Sequence, residues 1–155
     1  MPTTKCGFDD DAARGISGSF QLAIYGPTLL VDIGFDANYN PATPTILPVA
    51  GRKGIHALVD TGAAQSCIDS LLAASLNLPI VDRKPISGVH GNHIANMHLA
   101  QVFVPALNFT IYGMFAGVDL IAGGQVHGAL IGRAFLQSFT MVCEGRTGTV
   151  TISSL

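Results

Sequence analysis

Charge is scarce in this chain. Only 12% of its 155 residues are Asp, Glu, Lys or Arg, against 48% hydrophobic residues. Part of its surface is therefore expected to be covered by something other than water, with self-association the first candidate. The eight basic residues are scattered and the net charge is −2, which argues against nucleic acid and anionic membrane as partners. Glutamate occurs once, at Glu144, so acid chemistry falls to the aspartates. Cysteine is also sparse. Cys6, Cys67 and Cys143 fit no zinc spacing and are odd in number, so reduced and mostly buried thiols are expected. No apolar run approaches the ~20 residues of a membrane helix. Residues 1–6 hold no apolar signal region, and the expected location is cytoplasmic.

The chain does hold one stretch that organises the rest, Ala57-Leu58-Val59-Asp60-Thr61-Gly62-Ala63. Its apolar run reads as a buried strand. A carboxylate at the end of such a strand is costly without a partner or a task. Gly62 permits a turn and a close approach, and Thr61 sets a hydroxyl beside the carboxylate. Downstream, Ala129-Leu130-Ile131-Gly132-Arg133 repeats the pattern of an apolar strand ending in glycine, with a short helix expected through Phe135 and Leu136.

Between and around these motifs the signals are those of a mostly-β domain. Residues 1–15, with Asp9-Asp10-Asp11, read as a flexible polar arm, and residues 16–155 as one domain. Phe20 to Tyr25 and Leu29 to Phe35 read as β-rich runs parted by Gly26-Pro27. Asp36 to Pro48 holds three prolines and reads as a long loop, with a short edge strand at Thr45-Ile46-Leu47. Asp69 or Ser70 can cap a two-turn helix that Pro79 stops. Lys84 to Ile94 reads as a glycine-tipped hairpin whose returning arm, Met97 to Pro105, crosses the domain. Leu107 to Tyr112 and Val118 to Ile121 read as separate strands split by Gly113 and Gly117. Phe139 to Cys143 and Thr147 to Ile152 read as a closing hairpin.

Asp60-Thr61-Gly62-Ala63 on its apolar strand, a hairpin tipped by Gly88 to Gly91, and Leu130-Ile131-Gly132-Arg133 before a short helix together resemble the retropepsin-like aspartic peptidases. The likeness spans roughly residues 54 to 152 in motif order. It implies a closed β-barrel or sandwich subunit with one or two short helices and a flap hairpin, active as a homodimer on a peptide or protein substrate. Cofactors and metals are not expected. The chain carries one Asp-Thr-Gly, whereas the chemistry needs two carboxylates; a twofold axis between two copies of Asp60 would supply the pair.

The resemblance implies Asp60 as the catalytic residue, with Thr61, Gly62 and Ala63 supporting its loop. It further implies that Ser87, Gly88, Val89, His90 and Gly91 form a flap over the substrate, and that Gly132 and Arg133 are structural. In the family Arg133 pairs with an acid, but Ala64 and Gln65 stand at the expected place. An ion pair with Asp69 or Glu144, or a bond to a backbone carbonyl, is expected instead. His90, His93 and His98 suggest a metal site only until strand alternation is considered, which turns their rings to different faces. The competing function is a catalytically inactive module that uses the same fold to dimerise and hold a peptide.

Overall fold

The computed structural model describes residues 1–88 and 91–154. Val89 and His90, the tip of the expected flap, lie outside the described residues. The chain is mostly β, as its sequence implies. Six strands close on one another: β2 (Thr28–Gly34), β3 (Arg52–Val59), β8 (Ala129–Ile131), β4 (Cys67–Asp69), β7 (Phe109–Val118) and β6 (Gly91–Val104), with β6 pairing back onto β2. A ring of strands leaves no internal edge. β5 (Ile80–Gly88) hangs on the outside of β6. A second sheet, in the order β1 (Thr3–Lys5), β10 (Thr149–Ser154) and β9 (Phe139–Glu144), shares no strand ladder with the ring but packs on the same core.

The core follows strand alternation. Leu29, Val31 and Ile33 of β2, Ala57 and Val59 of β3, and Ala129 and Ile131 of β8 are all buried. They form one cluster with Ala100, Val102 and Val104 of β6, Phe115 of β7, and Val150 and Ile152 of the second sheet. A smaller cluster of Ala95, Met97 and Ala116, with Cys67, Ile86 and Val118 against it, sits at the base of the β5–β6 hairpin.

Four local readings differ from the structure. Phe20 to Tyr25 is helix, not strand: α1 (Gly18–Tyr25) starts at Ser17, whose hydroxyl accepts from the Phe20 amide at 3.0 Å, and the Asp10 carboxylate accepts from the Gly18 amide at 2.8 Å. Two of the first turn's free donors are thus satisfied from outside the segment, and Gly26 ends the helix at φ 70°. Residues 1–15, read as a polar arm, contribute β1 to the second sheet, with Cys6 buried beneath it.

Thr45 to Leu47 forms no strand; prolines interrupt the segment, and the Asp36 carboxylate closes the loop by accepting from Val49 at 3.0 Å and Asn38 at 2.9 Å. These two bonds, Val49 first, hold the Asp36 carboxyl below the usual range. Finally, β7 runs unbroken through Gly113 and Gly117, because β6 pairs along its length and β4 pairs with its end. Pairing on both sides outweighs the low strand preference of glycine. The expected two-turn helix is α2 (Ser70–Ser75), capped by Asp69, and the short helix after Gly132 is α3 (Arg133–Leu136).

Candidate active site

Asp60 follows directly on β3. Strands β3 and β8 run parallel, with Ala57 opposite Ala129, Leu58 opposite Leu130 and Val59 opposite Ile131. The ladder continues one step further, where the Asp60 amide donates to the Ile131 carbonyl at 2.9 Å. Both apolar strands therefore end at the same level, and the loop after one meets the glycine after the other. The two motifs singled out in the sequence are neighbours in space.

The loop from Asp60 to Ser66 is fixed by backbone and side-chain hydrogen bonds that a sequence does not reveal. The Arg133 amide donates to the Ala63 carbonyl at 2.8 Å, and the Gly132 amide donates to the buried Ser66 hydroxyl at 3.0 Å. On the other flank, the Gln65 side-chain amide donates to the Met114 carbonyl at 3.0 Å and the Ala116 amide to the Ser66 carbonyl at 3.1 Å. Gly132 is required by proximity: a Cβ there would lie 2.7 Å from the Ala63 carbonyl oxygen and 3.1 Å from that of Gln65. Ser66 was not marked by any sequence signal; its role appears only when Gly132 is brought beside it.

Arg133 makes no ion pair among the described residues. Its Nη1 donates to the Thr61 carbonyl at 2.9 Å, so of the expected partners it is the backbone carbonyl. No carboxylate of the described residues lies within 4 Å of its guanidinium. Asp69, one of the acids considered, is committed elsewhere. It is buried, and accepts from the Leu72 amide at 3.2 Å and from the Leu120 and Ile121 amides at 3.1 Å each.

The Asp60 carboxylate is half-buried. Its Oδ1 accepts from the Gly62 amide at 2.7 Å; among the described residues its Oδ2 has no hydrogen-bond partner in the chain. A Cβ on Gly62 would meet that Oδ1 at 3.0 Å, so glycine lets the amide reach the carboxylate. Thr61 and Gly62 are exposed and Ala63 is half-buried. Asp60 faces a cavity of about 560 Å³ whose other walls are Pro27, Leu58, Val59, Thr61, Met141 and Cys143. An ionisable group in a largely apolar cleft is the usual setting for chemistry. Cys67 lies close enough to feel the Asp60 charge, but burial is the larger cause that pushes its thiol up to about 11. It is a poor nucleophile there.

The β5–β6 hairpin carries Ser87, Gly88 and Gly91 at its far end, with Ser87 Oγ donating to Asn92 Oδ1 at 2.7 Å. Its base touches Cys67 through the smaller core cluster, which connects hairpin and Asp60 loop. His93 is exposed, whereas His98 is buried with Nδ1 3.2 Å from the Leu78 carbonyl. No cluster of three metal-ligating side chains occurs among the described residues, and none of their helices is long and apolar enough to cross a membrane.

Comparison with known proteins adds the following. No protein-family model matches the sequence, and no curated protein matches it. Among solved structures, the protease of EIAV, complexed with an inhibitor, is similar with a TM-score of 0.48 at 19% identity, over 72% of this chain and 85% of that one. The protease of Simian Foamy Virus (mac) is similar with a TM-score of 0.45 at 12% identity, over 71% of this chain and 91% of that one.

Proposed function

We propose that the chain is an aspartic endopeptidase whose working form is a homodimer, each copy supplying one Asp60. The observation that carries this reading is the setting of that carboxylate. It follows a strand held in the core by buried Ala57 and Val59, one oxygen is oriented by the Gly62 amide, the loop is tied down by Gly132 and Arg133, and an apolar cavity lies in front of it.

Two carboxylates brought together across a twofold axis cannot both ionise, so they share one proton, as is known of aspartic peptidases. The ionised Asp60 takes a proton from a water held between the pair. That water adds to the scissile carbonyl carbon while the protonated Asp60 donates to the carbonyl oxygen. The result is a tetrahedral diol with no covalent enzyme intermediate. Collapse of the diol breaks the C–N bond as the leaving nitrogen takes the proton that the first Asp60 removed from the water, while a hydroxyl proton of the diol returns to the other Asp60.

The Arg133 bond to the Thr61 carbonyl steadies the backbone from which Thr61 would meet its copy across the axis. Pro27, Leu58 and Met141 would accept apolar side chains of an extended peptide. The hairpin carrying Ser87, Gly88, Val89, His90 and Gly91 would close over that peptide as an added strand and exclude water.

The test is Asp60→Asn, assayed on a peptide library by mass spectrometry. The natural chain is expected to cut, and the variant to lose cutting while keeping its melting temperature and oligomeric state. Cleavage by the variant would rule out the mechanism. A peptide mimic with a hydroxyl in place of the scissile carbonyl is expected to protect the natural chain against melting far more than the parent peptide does. Equal protection by the two would favour an inactive peptide-holding module.

A further inference from the structure

We propose that the cleft at the root of the β5–β6 hairpin binds a small primary amine, an ammonium head on a short apolar body, with His98 as its acceptor. The proposal goes beyond the peptidase reading and does not rest on it, since this cleft shares no lining residue with the Asp60 cavity. Its volume is about 430 Å³, within the ~300–1,000 Å³ usual for small-molecule sites. Ile80 comes from β5, Asn96 and His98 from β6, Gly117 from β7, and Ser70 from α2. An occupant would therefore touch both arms of the hairpin and the helix beside it.

His98 points to a ligand because it is buried and only half satisfied. It is 5% exposed. Its Nδ1 lies 3.2 Å from the Leu78 carbonyl. A carbonyl oxygen only accepts, so Nδ1 carries the proton, and in a neutral imidazole Nε2 then bears a lone pair. That Nε2 makes no hydrogen bond among the described residues. A buried acceptor is unfavourable until something donates to it. Gly117 keeps the space beside it open: a Cβ there would stand 2.9 Å from Nε2 and 3.1 Å from Cδ2. Gly117 is not among the residues of positive φ, so the nearness of His98, and not the backbone, asks for glycine.

The rest of the polar lining selects a cationic head. Ser70 Oγ donates to the Asp119 carboxylate, so its oxygen has only lone pairs left to offer the cleft. An acceptor nitrogen beside an acceptor oxygen, the latter backed by a carboxylate, favours a charged donor. The cations of β5 do not take this place. Arg83 stands opposite Asn96 across the ladder but is exposed, Lys84 lies 4.0 Å from Asp82, and neither lines the cleft. Ala74, Leu78 and Ile80 supply the wall for the apolar body.

The test is a titration with cyclohexylmethylamine, read by NMR of the nitrogen-15-labelled protein. Cyclohexylmethanol and cyclohexanecarboxylate, which share the ring, are run beside it. The free protein is expected to show His98 with Nδ1 protonated and Nε2 bare. The amine should bind saturably, move the Nε2 resonance, and bind about fivefold more tightly than the alcohol; the carboxylate should not bind. Asp119→Asn should weaken the amine about threefold and leave the alcohol unchanged. Gly117→Ala crowds Nε2 and should weaken both roughly tenfold. Asp60→Asn should bind the amine as the natural chain does.

Absence of saturable binding, a proton on Nε2, or loss of binding in Asp60→Asn overturns the site. Equal binding of alcohol and amine, with Asp119→Asn unchanged, overturns the ammonium as its ligand. Should Gly117→Ala fail to fold, Asp119→Asn, an exposed substitution, decides. Cleavage of the peptide library bears on none of these outcomes, so this site and the peptidase reading stand or fall separately.

Discussion

Replacing Gly132 by alanine tests the geometry of the Asp60 loop most directly. The new Cβ would lie 2.7 Å from the Ala63 carbonyl oxygen, 3.1 Å from that of Gln65 and 3.2 Å from that of Ala64. Ordinary carbon–oxygen contacts begin near ~3.4 Å, so the closest overlap is several tenths of an ångström. Neither side can withdraw freely. The Ala63 carbonyl is held by the Arg133 amide at 2.8 Å, and the Gly132 amide is held by Ser66 at 3.0 Å. Forced overpacking of this kind costs about 1–3 kcal/mol. For a domain of this length that is roughly 2–12 °C of melting temperature.

Gly113→Ala is the control. It sits within β7, and a Cβ there meets nothing within 4 Å, so it is expected to be neutral or slightly stabilising. Melting by circular dichroism and library cleavage are measured side by side. Gly132→Ala should lose cleavage at temperatures where it remains folded, because the loop it displaces carries Asp60. A melting point within a degree of the natural chain, or an equal loss in Gly113→Ala, would refute the account of the loop.

Further outcomes follow from other contacts. Ser66→Ala strands the buried Gly132 amide and should cost about 1–3 kcal/mol, read as a lower urea midpoint. Buried His127 bonds Thr28 through Nε2 at 2.9 Å, while its Nδ1 has no partner among the described residues. Burial first, and then nearby His56, hold its pKa below the ordinary 6.5. The unfolded chain therefore takes up that proton more readily, so the stability due to neutral His127 is present above 6.5 and is lost as pH falls toward the folded pKa. Between pH 7.5 and 5 the urea midpoint should drop more for the natural chain than for His127→Gln.

The three thiols are free. Burial is the main cause that pushes Cys6 up to about 11, with Cys143 adding to it, and Cys67 reaches a similar value. Against the ordinary 9.0, each should hold about 100-fold less thiolate. Maleimide at pH 8, followed by mass spectrometry, should therefore label exposed Cys143 first.

What could be read from the sequence was short-range. The strand into Asp60, the Asp69-capped helix, the long hairpin and the closing hairpin each announce themselves within about ten residues, through alternation, caps and turns. α1 was misread because its decisive partner, the Asp10 carboxylate, comes from outside the segment. The division placed at Gly113 and Gly117 failed because strand pairing on both sides is a property of the sheet. At the site, Asp60, Gly132 and Arg133 were legible as residues, but the carbonyl that Arg133 holds was not singled out. Ser66 was not legible at all, since nothing local distinguishes a serine that will accept from an amide 66 positions away.

The parallel joint between β3 and β8 has a consequence for the chain as it is made. Thr61 and Arg133 are 72 positions apart, so a growing chain presents its acidic loop long before the segment that orients it exists. Until β8 docks, that carboxylate is an ordinary solvated group on an unfinished sheet. Hydrolytic power of the proposed kind would therefore switch on only after synthesis has passed the second motif, which would protect the nascent polypeptide from itself.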